Sequence, residues 1–443
     1  MHILRTLPVL LATLGAAAPG IAGPRPGAGV QRSGASGMRA AAAIGGPRGA
    51  DPDYLPPPGP YASTDPNPSL WSPSDPGADP QPVRGGLGAS PVLGPTNRPL
   101  DLQNPDLLAP PSTDVGDVPN LKWPMSLSHN RLTDGGWARQ QTVKDMPAAT
   151  DLAGVNMHLK AGAIREMHWH TAADVVTPEG HVYLGDVNEG DLWYFPPGIP
   201  HSIQAKAIPE DGSEFLLVFD DGNFNEDETF LLTNWLAHVP TEVLAKNFNM
   251  RGNTGAFDRI PDHELYIFPG VAPPENPEDD MVVPNDTELP YTFKLSEIAA
   301  EQKQGGSVKV VDSKTFKVAT AISAAVVEVE VGGMRELHWH PIEPEWTFFL
   351  EGEGRMTIFT SSASNTFNYQ GGDVAYVPPS FGHYVENTGS TKLKFLEIFK
   401  SDVFEDISLS QWLALTPPTL VKAHLGFSDE IIGHLDKVKQ EVV

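Results

Sequence analysis

The residues of this 443-residue chain best suited to chemistry are His338 and His340, with Glu345 five residues on and His383 further downstream. Alternate side chains of a strand share a face, so His338 and His340 point together while Trp339 points away. Pro341 and Pro344 break that strand. Glu345 begins another and can project to the same side. A turn after Val377-Pro378-Pro379-Ser380 can fold His383 back onto them. Three imidazoles and one carboxylate suit a borderline first-row metal, Mn, Fe or Zn, and an octahedral ion so held keeps two positions open for a ligand. A lone His-x-His is more often a pair of satisfied core or surface histidines. Four converging donors make ligation the stronger reading, although the set does not choose among the three metals.

The same wording occurs twice. Gly333-Met334-Arg335-Glu336-Leu337-His338-Trp339-His340 is matched by Gly162-Ala163-Ile164-Arg165-Glu166-Met167-His168-Trp169-His170, with His201 downstream. Chance does not repeat such a phrase, so the chain holds an internal duplication. Short β-rich runs broken by Gly, Pro and Asp follow in the same order in both halves, including Phe215–Phe219 in the first and Ala324–Val331, Glu345–Leu350, Arg355–Phe359 and Phe395–Phe399 in the second. Thr233–Ala237 and Ser410–Ala414 read as matching short helices. The expectation is an all-β protein of two jelly-roll barrels, each closed by short helices, over residues 116–270 and 291–430. A proline-rich acidic linker separates them.

Composition sets the address and the partners. There are 30 basic against 56 acidic residues, a net charge of −26, which disfavours nucleic acid and anionic membranes. An anionic substrate would need a local cation in its pocket. With no cysteine, disulfides, thiolate metal sites and cysteine nucleophiles are excluded. Arg5, the apolar run Leu7 to Ala18 and Gly20-Ile21-Ala22-Gly23 read as a secretory signal over residues 1–23, too short to span a membrane. The sequon Asn285-Asp286-Thr287 fits an extracellular, secreted protein. Residues 24–115 form a Pro/Gly-rich arm in which positions 51–80 hold ten prolines. Proline removes backbone donors, so this arm is expected to be mostly disordered.

The spacing Gly333-x4-His338-x-His340-x4-Glu345-x6-Gly352, then Gly372-x5-Pro378-x4-His383-x3-Asn387, resembles the two motifs of the cupin superfamily. The duplication, with Gly190-Asp191-Leu192-Trp193-Tyr194-Phe195-Pro196-Pro197 and Phe395–Phe399, resembles the bicupin oxalate decarboxylases in their secreted fungal form. That resemblance implies up to two Mn2+ per chain, conversion of oxalate to formate and carbon dioxide, dioxygen required without being consumed, and a homo-oligomer. It assigns Arg165 and Arg335 to the substrate, because guanidinium pairs well with a carboxylate whose charge shifts during reaction. It also assigns Glu226, in Asn225-Glu226-Asp227-Glu228-Thr229, as a lid acid that protonates carbon, and Glu397 as the acid near the second site. Taken without the resemblance, Glu226 reads as a solvated loop carboxylate. Its presence favours decarboxylation over an oxidase that releases hydrogen peroxide.

The first copy departs from the second. Forty-three residues separate His340 from His383, but 31 separate His170 from His201. Either Asp174, four residues after His170, completes a shortened metal site with His168, His170 and His201, or the ligand and its strand are absent through deletion or a misjoined exon. Absence is the stronger reading, because the loss removes a whole barrel strand. A catalytically silent bicupin that binds metal or a carboxylate therefore stands beside the active enzyme. A storage or sugar-binding bicupin is weaker, since six motif histidines remain.

Overall fold

The computed structural model describes residues 9–12, 114–169, 176–196 and 198–443. Most of the leader and of the proline-rich arm, together with His170 and Asp174, lie outside the described residues. The first half contains β1 Val9–Ala12, β2 Lys122–Pro124, β3 Arg131–Leu132, β4 Gly136–Gln141, β5 Ala153–Leu159, β6 Ile164–Trp169, β7 Leu192–Phe195, β8 His201–Gln204, β9 Ser213–Phe219, β10 Phe230–Leu231 and β11 Ile267–Phe268. The second contains β12 Thr292–Phe293, β13 Glu301–Lys303, β14 Gly306–Val311, β15 Ser323–Val329, β16 Met334–Trp339, β17 Glu345–Glu351, β18 Glu353–Thr360, β19 Ala363–Gln370, β20 Asp373–Val377, β21 His383–Asn387, β22 Leu393–Phe399 and β23 Ile407–Ser408. Helices α1 Leu232–Ala237 and α2 Thr241–Asn247 close the first half, and α3 Leu409–Leu415, α4 Pro418–Leu425 and α5 Asp429–Gly433 the second. This is the expected all-β pair of barrels with short closing helices.

The second half orders β13-β14-β15-β22-β17-β20-β2 in one sheet and β19-β18-β21-β16-β23 in the other. The first half runs β12-β7-β1-β9-β5-β4-β3, with β10-β6-β11 and β8 as its other layer. The seven-stranded sheets of the two halves correspond strand for strand when one order is reversed, and two differences stand out. First, β17 lies antiparallel between β20 and β22, whereas the corresponding slot between β7 and β9 is taken by β1, parallel to both, with Val9 opposite Leu192 and Leu216. Without β1 that slot would leave two rows of backbone groups unpaired. Residues 9–12 of the apolar run that reads as a secretory leader pair with β7 and β9 in this slot. Second, the β18-β19 hairpin has only the single bridge Val176 to Val182 as its counterpart.

The halves also exchange edges. β2 precedes the first barrel but pairs with β20 of the second, Trp123 opposite Val374, and Lys122 Nζ meets the buried Asp373 carboxylate at 3.3 Å. β12 follows the linker but pairs with β7 of the first. Strand alternation gives the shared sheets two apolar faces. Leu192, Tyr194, Leu216 and Val218 join one core with Val327, Trp346 and Phe395 of the second half. Phe195, Leu217 and Phe219 fill the first barrel. Trp346 is fully buried and donates from Nε1 to Gln141 Oε1 at 2.7 Å, across the junction.

Candidate functional site

The second centre assembles as the spacing predicts. His338 on β16 lies opposite His383 at the start of β21, His340 follows the end of β16, and Glu345 opens β17. Each of the four offers one ligand atom, all within 4.8 Å of one another, and all four side chains are buried. The tautomers are set from behind. Nδ1 of His338, His340 and His383 donates to the carbonyls of Glu336, Glu405 and Phe381 at 2.6, 2.8 and 2.9 Å. Each Nε2 lone pair therefore faces inward, as a metal ligand requires. Glu345 Oε2 lies 3.1 Å from His340 Nε2 and 3.0 Å from His383 Nε2, and Thr347 donates to its other oxygen. His338 Nε2 is buried without a hydrogen-bond partner, which a cation in this cage would satisfy. Burial, with Arg335 nearby, holds His338 well below the usual imidazole range. Burial opposes ionisation of Glu345, but His383 and His340 keep its carboxyl well below normal. A neutral His338 imidazole and an ionised Glu345 carboxylate are states that suit ligation of a first-row dication.

In each copy an arginine lies three residues before the first histidine, a spacing that a regular strand would send to the opposite face. A register shift between Arg165 and His168, and another between Arg335 and His338, corrects this. The bulge turns both side chains inward, and all four are buried. The glutamate between them is structural. Glu166 accepts from Thr233 N and Oγ1 at the head of α1, and from Leu265 N and Tyr266 N. Glu336 accepts from Ser408, which also caps α3.

At the first centre, His168 and His201 face each other with ring centroids 3.8 Å apart. Arg165 donates to Glu226 at 2.6 Å and to Thr229 at 3.2 Å, so the expected lid acid sits buried against the expected substrate cation. It is not the solvated carboxylate that loop position alone suggests. The residues expected to form a lid make a short 3-10 turn, Glu226–Glu228, in which Asn225 accepts from Asp227 N. Gln140 on β4 holds the turn, donating to Asn225 at 2.9 Å and accepting from Glu226 N at 2.9 Å. Tyr266 donates to Glu226 at 3.2 Å and has a positive φ of 59°, an uncommon conformation for a residue with a side chain. Burial, with Glu226 beside it, pushes its phenol well above the usual range, so it remains a donor.

The two arginines are partnered differently. Arg335 meets Asp406 at 2.7 Å and Glu397 at 3.4 Å, all three side chains essentially buried. Burial opposes ionisation of Asp406, yet Arg335 and Lys439 hold its carboxyl down at about 2. Burial pushes Glu397 up to about 7 despite Arg335. Arg335 is thus already engaged by protein carboxylates, while Arg165 shares its charge with a residue of the lid. Asp406, Tyr266, Gln140 and Glu166 are site residues that the sequence reading does not reach. Asp406, Tyr266 and Gln140 act from a loop or neighbouring strand with no motif of their own, while Glu166 sits inside the repeated phrase on β6.

Two jelly-roll barrels with a three-histidine, one-glutamate cage define a double cupin, and the cupin family model matches residues 128–255 and 294–432. The chain is 49% identical over 378 residues to oxalate decarboxylase OxdC of Bacillus subtilis (strain 168), covering 82% of this chain and 97% of that protein. It is 40% identical to a probable oxalate decarboxylase of Arthroderma benhamiae, covering 82% and 93%. A solved Bacillus subtilis oxalate decarboxylase, from work on its Mn(II) centres, matches with a TM-score of 0.78 and 49% identity over 83% of this chain and 99% of that one. The chain belongs to the oxalate decarboxylase family of bicupins.

Proposed function

We propose that the chain is a manganese-dependent oxalate decarboxylase, turning oxalate and one proton into formate and carbon dioxide, with dioxygen required but not consumed. The buried Arg165–Glu226 pair beside His168 and His201 is the observation that carries this reading, with the family's printed activity behind it. His338, His340, Glu345 and His383 would hold manganese at the second centre. His168, His170 and His201 would hold it at the first, with Asp174 the one carboxylate near enough in sequence to join them. The ion supplies Lewis-acid and one-electron chemistry to bound oxalate.

The chain's own residues do the rest. Arg165 is a buried cation in an acidic protein, so a carboxylate of oxalate gains a charge-assisted pair there that bulk solvent does not offer. The arriving dianion competes with Glu226 for that guanidinium. Glu226, displaced from Arg165, is the acid that delivers a proton to the carbon left when carbon dioxide departs. Gln140 and Tyr266 keep Glu226 aimed inward. The lid side chain is only 4% exposed, so closure also keeps water out. Glu397, near neutrality in its pKa, is the corresponding proton carrier at the second centre, with Arg335 as its cation.

Export is part of the proposal, through the N-terminal apolar run. So is homo-oligomer formation, supported by matching exposed apolar patches beside the closing helices, Met167, Phe230 and Trp235 in one half and Leu337, Trp412 and Leu415 in the other. No helix among the described residues is long and apolar enough to cross a membrane.

A second reading has its own observation. His201 follows His170 by 31 residues where His383 follows His340 by 43, a shortening that favours a bicupin that binds metal but turns over slowly or not at all. Manganese loading followed by assay of formate, peroxide and metal content separates the readings. Formate with about two Mn per chain supports the decarboxylase. Peroxide without formate makes it an oxidase. About one Mn and no turnover makes it silent.

A further inference from the structure

Arg131 on β3 is tied to three groups at once. Its guanidinium lies 3.6 Å from the centre of the Tyr266 ring, pairs with Glu264, and reaches Asp227 Oδ1 at 3.1 Å. The first two contacts belong to the wall of the site, because Leu265 and Tyr266 are themselves fixed by donating their amides to Glu166. The third belongs to the lid turn, one residue from Glu226. Resting on the function proposed above, we propose that Arg131 is a positioning residue that latches the lid over the first centre through Asp227, setting how long Glu226 stays beside Arg165.

The strength of the contact suits a latch. The Asp227 side chain is 58% exposed and that of Arg131 28%, and an ion pair so placed shifts an equilibrium by roughly two- to five-fold. That biases the lid toward closure and still lets it open in every turnover. The buried Arg165–Glu226 pair could not be exchanged as cheaply. At the same seam opens a cavity of about 120 Å³ lined by Arg131, Arg139 and Lys144 on one side and Glu226, Asp227 and Tyr266 on the other. In a chain of net charge −26 this cavity gathers three cations beside the lid turn, facing Asp145, Glu226 and Asp227. An incoming dianion there competes with Asp227 for Arg131, so arrival of substrate loosens the latch that admits it.

The test compares the native chain with Asp227→Asn, Arg131→Gln, their double variant and Asp227→Glu. Hydrogen exchange of lid peptides spanning residues 221–229 is the first readout, since it needs no turnover. Asp227→Asn leaves the Glu264 and Tyr266 contacts intact, so it remains informative if Arg131→Gln folds poorly. Exchange rises roughly two- to five-fold in either single variant and no further in the double, while Asp227→Glu stays near native. Adding about 0.5 M salt speeds exchange in the native chain, because screening weakens an exposed pair, and leaves Asp227→Asn unchanged. In manganese-loaded protein that makes formate, the peroxide share rises with lid opening. That side reaction takes oxalate, dioxygen and two protons to two carbon dioxide and one hydrogen peroxide, and needs no proton on carbon. Native exchange rates in Asp227→Asn, or effects that simply add in the double variant, would overturn the latch. Absence of formate from the native protein would overturn the decarboxylase reading instead.

Discussion

Replacing Glu345 by Gln tests the second centre most directly. Glutamine keeps the volume and one oxygen but removes the only anionic donor among the four. Loss even of a residue that merely orients a metal ligand costs about 10- to 100-fold in affinity. Removing the charged ligand itself should reach the upper figure, about 2.7 kcal/mol at 1.4 kcal/mol per factor of ten. At a free manganese concentration one hundred times the native Kd, binding stabilises the native fold by about 2.7 kcal/mol. The variant, at a concentration equal to its own Kd, gains only about 0.4 kcal/mol. At roughly 2 °C per kcal/mol for a unit of this size, manganese raises the native Tm by about 5 °C and that of Glu345→Gln by about 1 °C. The assay is thermal unfolding of chelator-stripped protein with and without manganese, each variant measured against its own metal-free form. An equal manganese-induced shift in the two proteins would refute the four-ligand assignment.

Two further predictions concern stability. Burial pushes Asp220 up to about 7 from the ordinary 3.8, so its folded state prefers the proton. Its contribution is fully present below pH 3.8 and is lost as pH rises through about 7. Asp220→Asn should flatten that segment of the urea-denaturation profile by roughly 2–4 kcal/mol, and an unchanged profile would count against the burial of this carboxyl. Gly154 on β5 faces the Trp346 ring so closely that a β-carbon there would collide with it. Gly154→Ala should therefore cost about 1–3 kcal/mol by overpacking the junction between the halves, and a chemical melt at native midpoint would show the junction to be looser than described.

Much of this was legible in the sequence because it is written in local spacing. The His-x-His pair, the carboxylate after a proline break and the repeated phrase need only strand alternation and a turn to place them. Helices α1 and α3 and the Phe215–Phe219 run of β9 were equally plain, since they are short amphipathic or fully apolar segments. What could not be read comes from contacts between distant segments. Arg165 and His168 share a face only because of a bulge, which period-two reasoning forbids. Asp406 and Tyr266 meet the arginines from loops 71 and 101 residues away in sequence. The placement of β1 between β7 and β9 was hidden for a related reason. An apolar run carries no mark of the strands it will pair with, and Val9–Ala12 shows its place only through the ladders to β7 and β9.

The exchange of β2 and β12 has a consequence for how such a chain can change over time. β7 borders the irregular slot of the first barrel, yet its other edge is held by β12, and Leu192 and Tyr194 are packed into the core that the second half completes. The edges around that slot are thus held in part by strands and core residues of the other half. Two copies that hold each other's edges shelter one another, so one of them can drift in its chemistry while the pair is still inherited as a single folded object.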